Sequence, residues 1–552
     1  MTTGAPPPPR RPADDLVAAG PRRRAPSPRP PGPPPDPEPA LAARVLDALL
    51  REDYAGLRRR LEGDGLRLPD GRLVPLLRGR DEGRGAWPPP GFLAEWSVDP
   101  AAGLRLEEVF ATVRAIADPR DDVAAFEREC RECLATLRLH RDAWPAVAER
   151  LADVPVTGAG VFYDTLAAHT DHPVYPTGRC RIGLSAEDLR RYAPEFAPVF
   201  ALRWTAVPRE RVTLAGRRPD WWPRPADAGV DDRYELLPVH PLNTGVDALP
   251  SPRVPVRPTL SMRTLAVDGR THLKVPLPTS TLGLRNRRTI APRTLHDGAL
   301  AERILRRVLA REPGLPLLLA DEQTYGHAGD PLLAYLVRRF PAEVDGAHVV
   351  PVAALLADHP DGGTVIERWD VPALFDEYLS ALLTIGVTLF RYGIALEAHQ
   401  QNVSLVLGNG PVRLLIKDND GMLVDPRRLA ETLGPLRETF QDPRMAEGDP
   451  ESLARVFVTI TVHLCAGALA FGLAERGLLP LRTGLAMVRE RLETALGPGD
   501  GFLRSRTVEA DALPTKAMLT AGTLVDKART GARDINKHYG PDGPNYLDRF
   551  RD

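Results

Sequence analysis

The chain is short of cysteine and lysine, and it carries almost no net charge. Four cysteines in 552 residues are too few to staple a fold of this length, which excludes a disulfide scaffold. The lone Cys130-x-x-Cys133 pair has no second pair and no nearby His-x-x-His, so helix packing is expected of it rather than zinc. With 72 basic against 73 acidic residues the formal charge is -1. No overall field therefore draws the molecule to nucleic acid or to an anionic membrane, and anions must be recognised locally. A Walker-type glycine loop, a Gly-x-Ser-x-Gly elbow and a repeat at solenoid period are also absent, which sets aside the P-loop mode of holding phosphate and serine-hydrolase chemistry. The longest uncharged run, Val456 to Ala474, contains Thr459, Thr461 and His463 and is expected to be a buried core helix rather than a membrane span. No charged start with an apolar run and a small-residue cleavage site opens the sequence, so a reducing, cytoplasmic setting is expected.

What the chain does contain is proline, 58 residues of it, and arginine. Lysine occurs only at Lys274, Lys417, Lys516, Lys527 and Lys537. Hydrophobic residues at 43% and charged residues at 26% are those of an ordinary globular protein. The length allows about three or four structural units. Residues 1–40 are Pro/Arg-rich, with almost nothing apolar to offset the entropy of ordering, and are expected to be a disordered tail. Residues 41–155 show apolar spacing of three and four and read as helical. Over 156–370 short β-like runs such as TLSMRTLAV and THLKVPLPTS dominate, broken by Pro and Gly. From 371 to 552 helices return, interrupted by the hairpin-like VSLVLGNGPVRLLIKDNDG.

Three segments carry chemistry. The first is Glu397-Ala-His399-Gln-Gln401-Asn402, followed through a Gly-Asn-Gly turn by Lys417-Asp418-Asn419-Asp420-Gly421. A helix ending in Glu, His and Asn, then a hairpin delivering Asp-x-Asp, gathers hard oxygen ligands and an imidazole, the set that holds Mg²⁺ together with bound phosphate. A polar helix end beside a capped turn is the plainer reading. The second runs Ser261-Met-Arg263-Thr264, then His272-Leu-Lys274, then Arg285-Asn286-Arg287-Arg288. Hydroxyls and an Arg on one strand, a Lys on the next and an Arg cluster beyond suit a triphosphate. A solvated basic strand face is the competing reading. The third, Asp171-His172-Pro-Val-Tyr175-Pro-Thr177-Gly-Arg179, uses two prolines to fix a loop that presents His172, Thr177 and Arg179 to a polycarboxylate. Read alone, its His is as readily structural.

Together these segments resemble the NRPS-independent siderophore synthetases, the IucA/IucC family. In that family a His-Pro-x-His-Pro loop, a Ser-x-Arg-Thr strand, a His-x-Lys strand, Glu-x-His-x-Gln-Asn and Asp-x-Asp follow in this order. Here His240-Pro241 lies between the first and second, and Leu513-Pro-Thr-Lys516 and Asn545-Tyr-Leu547 resemble the closing segments. Tyr175 stands where a second His is usual, and Arg179 where Lys is usual. The resemblance implies an α+β, cupped-hand fold of thumb, fingers and palm, and a homodimer. It also implies ATP held by Ser261, Arg263, Thr264 and Lys274, with Arg285 or Arg288 (Arg287 being a third choice), His399 and Gln401. Glu397, Asn402, Asp418 and Asp420 would hold Mg²⁺, and His172, Thr177 and Arg179 would face the acid. Arg263, Lys274 and His399 would act in catalysis. The implied activity is AMP-forming ligation of citrate or a citrate-like acid to an amine or hydroxyl. A small-molecule kinase with a similar palm and a non-catalytic nucleotide-binding protein are the alternatives.

Overall fold

The computed structural model describes residues 35–78, 91–408, 410–531 and 538–548. Most of the expected disordered tail, residues 1–34, lies outside them; its end does not fit that expectation, because a helix already starts at Glu38 and runs to Arg51. The N-terminal part is less purely helical than its apolar spacing implies. Between that helix and the helices Leu106–Ile116 and Val123–Leu151 stands a four-stranded antiparallel sheet of Leu61–Glu62, Gly65–Arg67, Leu73–Arg78 and Trp96–Val98. Gly63 and Gly71 turn the chain at left-handed φ of 53° and 88°, a conformation that a helical pattern does not reveal. Cys130 and Cys133 are buried free thiols on the long helix, with burial pushing the Cys133 thiol up to about 12.

The middle of the chain builds an eight-stranded antiparallel sheet. Its order is Thr213–Ala215, Asp321–His327, Ala334–Arg339, Thr271–Lys274, Thr264–Ala266, Val254–Pro258, Phe200–Pro208 and Tyr234–Val239. Trp204, Trp222, Leu273 and Tyr335 fill one core of this sheet. A second sheet of four strands, Leu317–Leu319, Arg413–Ile416, Val403–Leu407 and His348–Pro351, lies next in the chain. One residue, Ala320, separates Leu319 in the small sheet from Asp321 in the large one, so the two sheets meet at that point.

Two of the expected elements differ in the structure. The helix foreseen through Asn402 stops at Arg391, because Gly393 takes a φ of 75° and ends it in the way glycine commonly does. Ile394–Ala395 then pairs with Leu423–Val424, which leaves residues 396–402 as a loop. The apolar run near 456–474 is helical, but Phe457–Gly467 is wound as a π-helix. A Cβ on Gly467 would meet the Tyr546 hydroxyl at 2.4 Å. The wide turn frees carbonyls for outside donors: Tyr378 to Cys465 O at 3.2 Å, Tyr546 to Val462 O at 3.2 Å and Gln400 to Leu464 O at 2.6 Å. Val371–Arg391 and Pro450–Glu475 are apolar and long enough to cross a membrane, yet 61% and 89% of their apolar windows are buried in this fold.

His240 gives a test of the core. It is fully buried, edge-on to Tyr192 and Phe200, and its Nδ1 accepts the Leu242 N–H at 3.1 Å. Burial pushes it down to about 3 from 6.5. Its contribution to stability is complete above pH 6.5 and is lost as pH falls, since the unfolded chain takes the proton first. The stability advantage of the parent over His240→Asn should therefore shrink by about 2 kcal/mol between pH 7 and pH 5. Urea unfolding of both at the two pH values measures this, and a constant difference contradicts it.

Candidate functional site

Where the large sheet, the small sheet and the helical parts meet, the structure holds a cavity of about 350 Å³ lined by Ser261, Arg263, Arg288, Glu397, His399, Gln401, Asn402, Asp418 and Asp420, with His172 and Arg179 on another side. Three segments far apart in sequence thus share one pocket.

Ser261 and Arg263 are not on a strand. They sit in the turn between Val254–Pro258 and Thr264–Ala266, where Met262 has a φ of 62°. Ser261 Oγ accepts the Thr264 N–H at 3.1 Å, and the Leu260 N–H is anchored on Asp164 at 2.9 Å. The Arg263 guanidinium donates to Thr289 O at 2.7 Å and Arg288 O at 3.2 Å. Both Arg263 and Arg288 keep a buried Nε–H with no partner among the described residues. Burial, and after it the neighbouring Arg263, lowers Arg288 to about 9, so the Arg288 guanidinium stays charged at neutral pH. Two crowded cations with unspent donors form an anion-binding wall.

Another part of the lining is acidic and held by buried charges. Lys274 ends its strand and is only 5% exposed; its ammonium donates to Asp418 and stands 3.4 Å from Asp420. Asp418 has a φ of 67°, and its N–H reaches both oxygens of Glu322, at 3.0 and 3.2 Å. Glu322 in turn pairs with Arg338 at 2.5 Å. Burial alone would raise the Asp418 carboxyl, but Lys274, Arg338 and Arg263 outweigh it and hold it far below the usual carboxylate range. A Cβ on Gly421 would fall 2.5 Å from Glu397 Oε2, so Glu397 lies against the Asp420-Gly421 backbone. Among the described residues no group of three or more His, Cys, Asp or Glu could by itself hold a metal ion. An oxygen set of Glu397, Asn402, Asp418 and Asp420 nonetheless suits Mg²⁺, which takes few protein ligands and completes its shell with water and phosphate.

His172 and His399 are neutral donors. Burial first, then His399 and Lys516, push His172 down to about 3. Its Nδ1 accepts the N–H groups of Tyr175 at 3.1 Å and Val174 at 3.3 Å, so the ring proton sits on Nε2. Burial and then Lys516 lower His399 to about 4, and its Nδ1 faces the Gln401 N–H at 3.4 Å.

Five expected residues do not face the cavity. Thr177 is fully buried and donates to Glu129 at 2.6 Å. Thr264 is buried in strand pairing opposite Lys274, and Lys274 itself stands behind the two aspartates. Arg285 turns to Ala521 O at 2.7 Å, while Arg287 is exposed; of the three arginines, Arg288 lines the cavity. Arg179 lines it with its guanidinium already paired to Asp171 at 2.8 Å. Sequence reasoning missed Arg181, Asp442 and Arg444, which also line the pocket. Asp442-Pro-Arg444 is a turn hung on buried Asp297 through the N–H groups of Gln441 and Asp442, at 2.7 and 2.8 Å. Nothing in its spacing distinguishes it from an ordinary Asp-Pro turn.

Comparison with known proteins agrees with this architecture. Residues 161–357 match the IucA / IucC family model, and residues 372–531 match a model described as ferric iron reductase FhuF-like transporter. The rhizobactin siderophore biosynthesis protein RhbC of Rhizobium meliloti is 28% identical over 60% of this chain and 66% of its own length. The 2-[(L-alanin-3-ylcarbamoyl)methyl]-3-(2-aminoethylcarbamoyl)-2-hydroxypropanoate synthase of Staphylococcus aureus is 23% identical over 52% of this chain and 57% of its own. The alignments thus span between half and two thirds of these relatives. The ATP-bound aerobactin synthetase IucA of Klebsiella pneumoniae superposes with a TM-score of 0.67 at 20% identity, over 92% of this chain and 99% of that one, which shows a shared fold.

The charge ladder behind Asp418 is directly testable. Removing one member of a buried pair costs about 3–5 kcal/mol, because the other is left uncompensated. Glu322→Ala should lower the unfolding free energy in urea by that amount, and Glu322→Leu with Arg338→Met should recover most of it. A loss under about 1 kcal/mol for Glu322→Ala would fit only a solvent-screened pair.

Proposed function

We propose, from the premise that through residues 161–357 this chain belongs to the IucA/IucC family, that it is an ATP-dependent ligase of siderophore biosynthesis. It would join a carboxylate of citrate or a citrate-like acid to an amine or hydroxyl, on a cupped-hand fold of thumb, fingers and palm. The observation that carries this reading is the presence, in one cavity, of two guanidinium groups whose Nε–H donors have no partner among the described residues and an acidic set of Glu397, Asp418 and Asp420. A nucleoside triphosphate with its metal presents the complementary pattern. The staphylococcal relative is named for a hydroxy acid bearing two carbamoyl arms, the kind of product such a ligation yields.

In this reading Arg263 and Arg288 hold phosphate oxygens, and Ser261 adds a hydroxyl. Glu397, Asn402, Asp418 and Asp420 would hold Mg²⁺, which when bound neutralises phosphate charge. The Nε2–H groups of His172 and His399 donate to the acid without adding charge, so its reacting oxygen is oriented but stays nucleophilic. Attack at the α-phosphorus releases pyrophosphate, and the amine or hydroxyl then displaces AMP. Bringing two polyanions together costs Coulomb energy that the arginine wall offsets, and orientation can contribute about 7–11 kcal/mol.

With ATP, Mg²⁺, a panel of di- and tricarboxylates and hydroxylamine, the expected products are a hydroxamate with AMP and pyrophosphate in equal amounts. ADP and phosphate would instead mark a kinase. Arg263→Ala and Arg288→Ala should each slow turnover by about 10–150-fold while the melting temperature without ATP holds. In Mg²⁺ titrations, Asp418→Asn should raise the half-saturating concentration more than Asp420→Asn, since the Asp418 backbone is fixed on both oxygens of Glu322; equal and mild effects would move the metal elsewhere.

A further inference from the structure

We infer that Glu129 is a positioning residue that sets the acid-binding side of the pocket from outside it, an inference that rests on the ligase reading above. Glu129 lies on the helix Val123–Leu151, N-terminal to both segments matched by family models, and is only 2% exposed. Three hydroxyls donate to its carboxylate: Tyr175 at 2.7 Å and Thr177 at 2.6 Å on one oxygen, Thr523 on the other. Tyr175 and Thr177 belong to the loop that carries His172 and Arg179. Thr523 belongs to the short π-turn Thr520–Leu524, which follows the pocket residues Lys516 and Met518.

The same node reaches a third wall. Thr523 Oγ1 accepts the Leu284 N–H at 2.9 Å, and Arg285 clamps the π-turn through Ala521 O at 2.7 Å and Gly522 O at 3.2 Å. A Cβ on Gly283 would lie 2.6 Å from Gly522 Cα, so the loop that leads to Arg288 is pressed against this turn. One carboxylate therefore ties together the loops bearing His172, Lys516 and Arg288, while Glu129, Tyr175, Thr177 and Thr523 stay outside the cavity lining.

A carboxylate is an unfavourable choice for mere helix packing. Among the described residues its hydrogen-bond donors are the three hydroxyls, and burial pushes its carboxyl up, so placing an anion here is costly. What it supplies is direction, since an ionised carboxylate only accepts and can take three O–H donors at fixed angles. The Tyr175 hydroxyl fits this arrangement, which gives a physical use to the residue that stands where the related family usually has a second His.

Glu129→Gln keeps the shape but turns half the acceptor into a donor. Tyr175→Phe and Thr523→Val each remove one donor at nearly constant volume. The expected result is a KM for the acid raised by about 10- to 100-fold, with the KM for ATP moving by less than about threefold. Hydrogen exchange should also quicken at 172–180, 283–288 and 516–525 and not elsewhere. Parallel rises in both KM values, or a lowered melting temperature with neither KM changed, overturn the inference. If the parent enzyme turns over none of the acids tested, the ligase reading fails by itself. Exchange then decides the node: faster exchange confined to the three segments upholds it, and uniform or unchanged exchange overturns it.

Discussion

The buried ion ladder Arg338, Glu322, Asp418 and Lys274 is the constraint on which the site depends. Arg338 and Lys274 lie on adjacent strands of the large sheet, and Glu322 on the next strand over, whereas Asp418 lies two residues past the end of the small sheet's Arg413–Ile416 strand. The contact from Asp418 N–H to Glu322 therefore joins two sheets separated in sequence by a single linking residue, Ala320. A charge pair in this place contributes little net stability compared with apolar packing, because desolvation consumes most of the Coulomb gain. Its effect is geometric: it holds Asp418 at a left-handed φ that a non-glycine residue seldom adopts unaided.

From that fixed point the electrostatics of the cavity follow. Lys274, Arg338 and Arg263 hold the Asp418 carboxyl far below the usual carboxylate range, so its charge is in place before any ligand arrives. In the same lining Arg263 and Arg288 crowd each other, which is unfavourable in an empty protein and relieved by an anion between them. The histidines go the other way: enclosed beside Lys516, they lose their protons and become neutral donors. One pocket thus presents a cationic wall, an anionic wall and a neutral hydrogen-bonding side.

Much of this was legible in the sequence and part of it was not. Residue types and order brought Ser261, Arg263, His399, Asn402 and the Asp-x-Asp pair together, because the proposed task of holding a metal-bound polyanion would restrict the choice of side chain. Backbone conformation was misread where one glycine decides it, as at Gly393, whose φ ends a helix that the apolar pattern continues. Direction was misread for Thr177 and Arg285: spacing places them beside functional residues but cannot say that one turns to Glu129 and the other to Ala521. Asp442 and Arg444 escaped because their position depends on Asp297, a buried anchor on a distant helix, and no local pattern encodes that contact.

The position of Lys274 explains why a lysine survives there in a chain that uses arginine almost everywhere else. At about 4 Å, opposite charges attract by roughly 4 kcal/mol at an effective dielectric of 20, enough to hold both carboxylates against the ammonium. An arginine fork would engage one carboxylate bidentately and fix its orientation. A compact ammonium instead shares itself between Asp418 and Asp420 and leaves their outer oxygens turned to the cavity. The wall can then exchange its inner cation's hold for contacts with a ligand without unfolding the ladder beneath, since Asp418 is still anchored through its backbone on Glu322. Rigidity and readiness are carried by different atoms of the same residue, the amide for position and the carboxylate for binding.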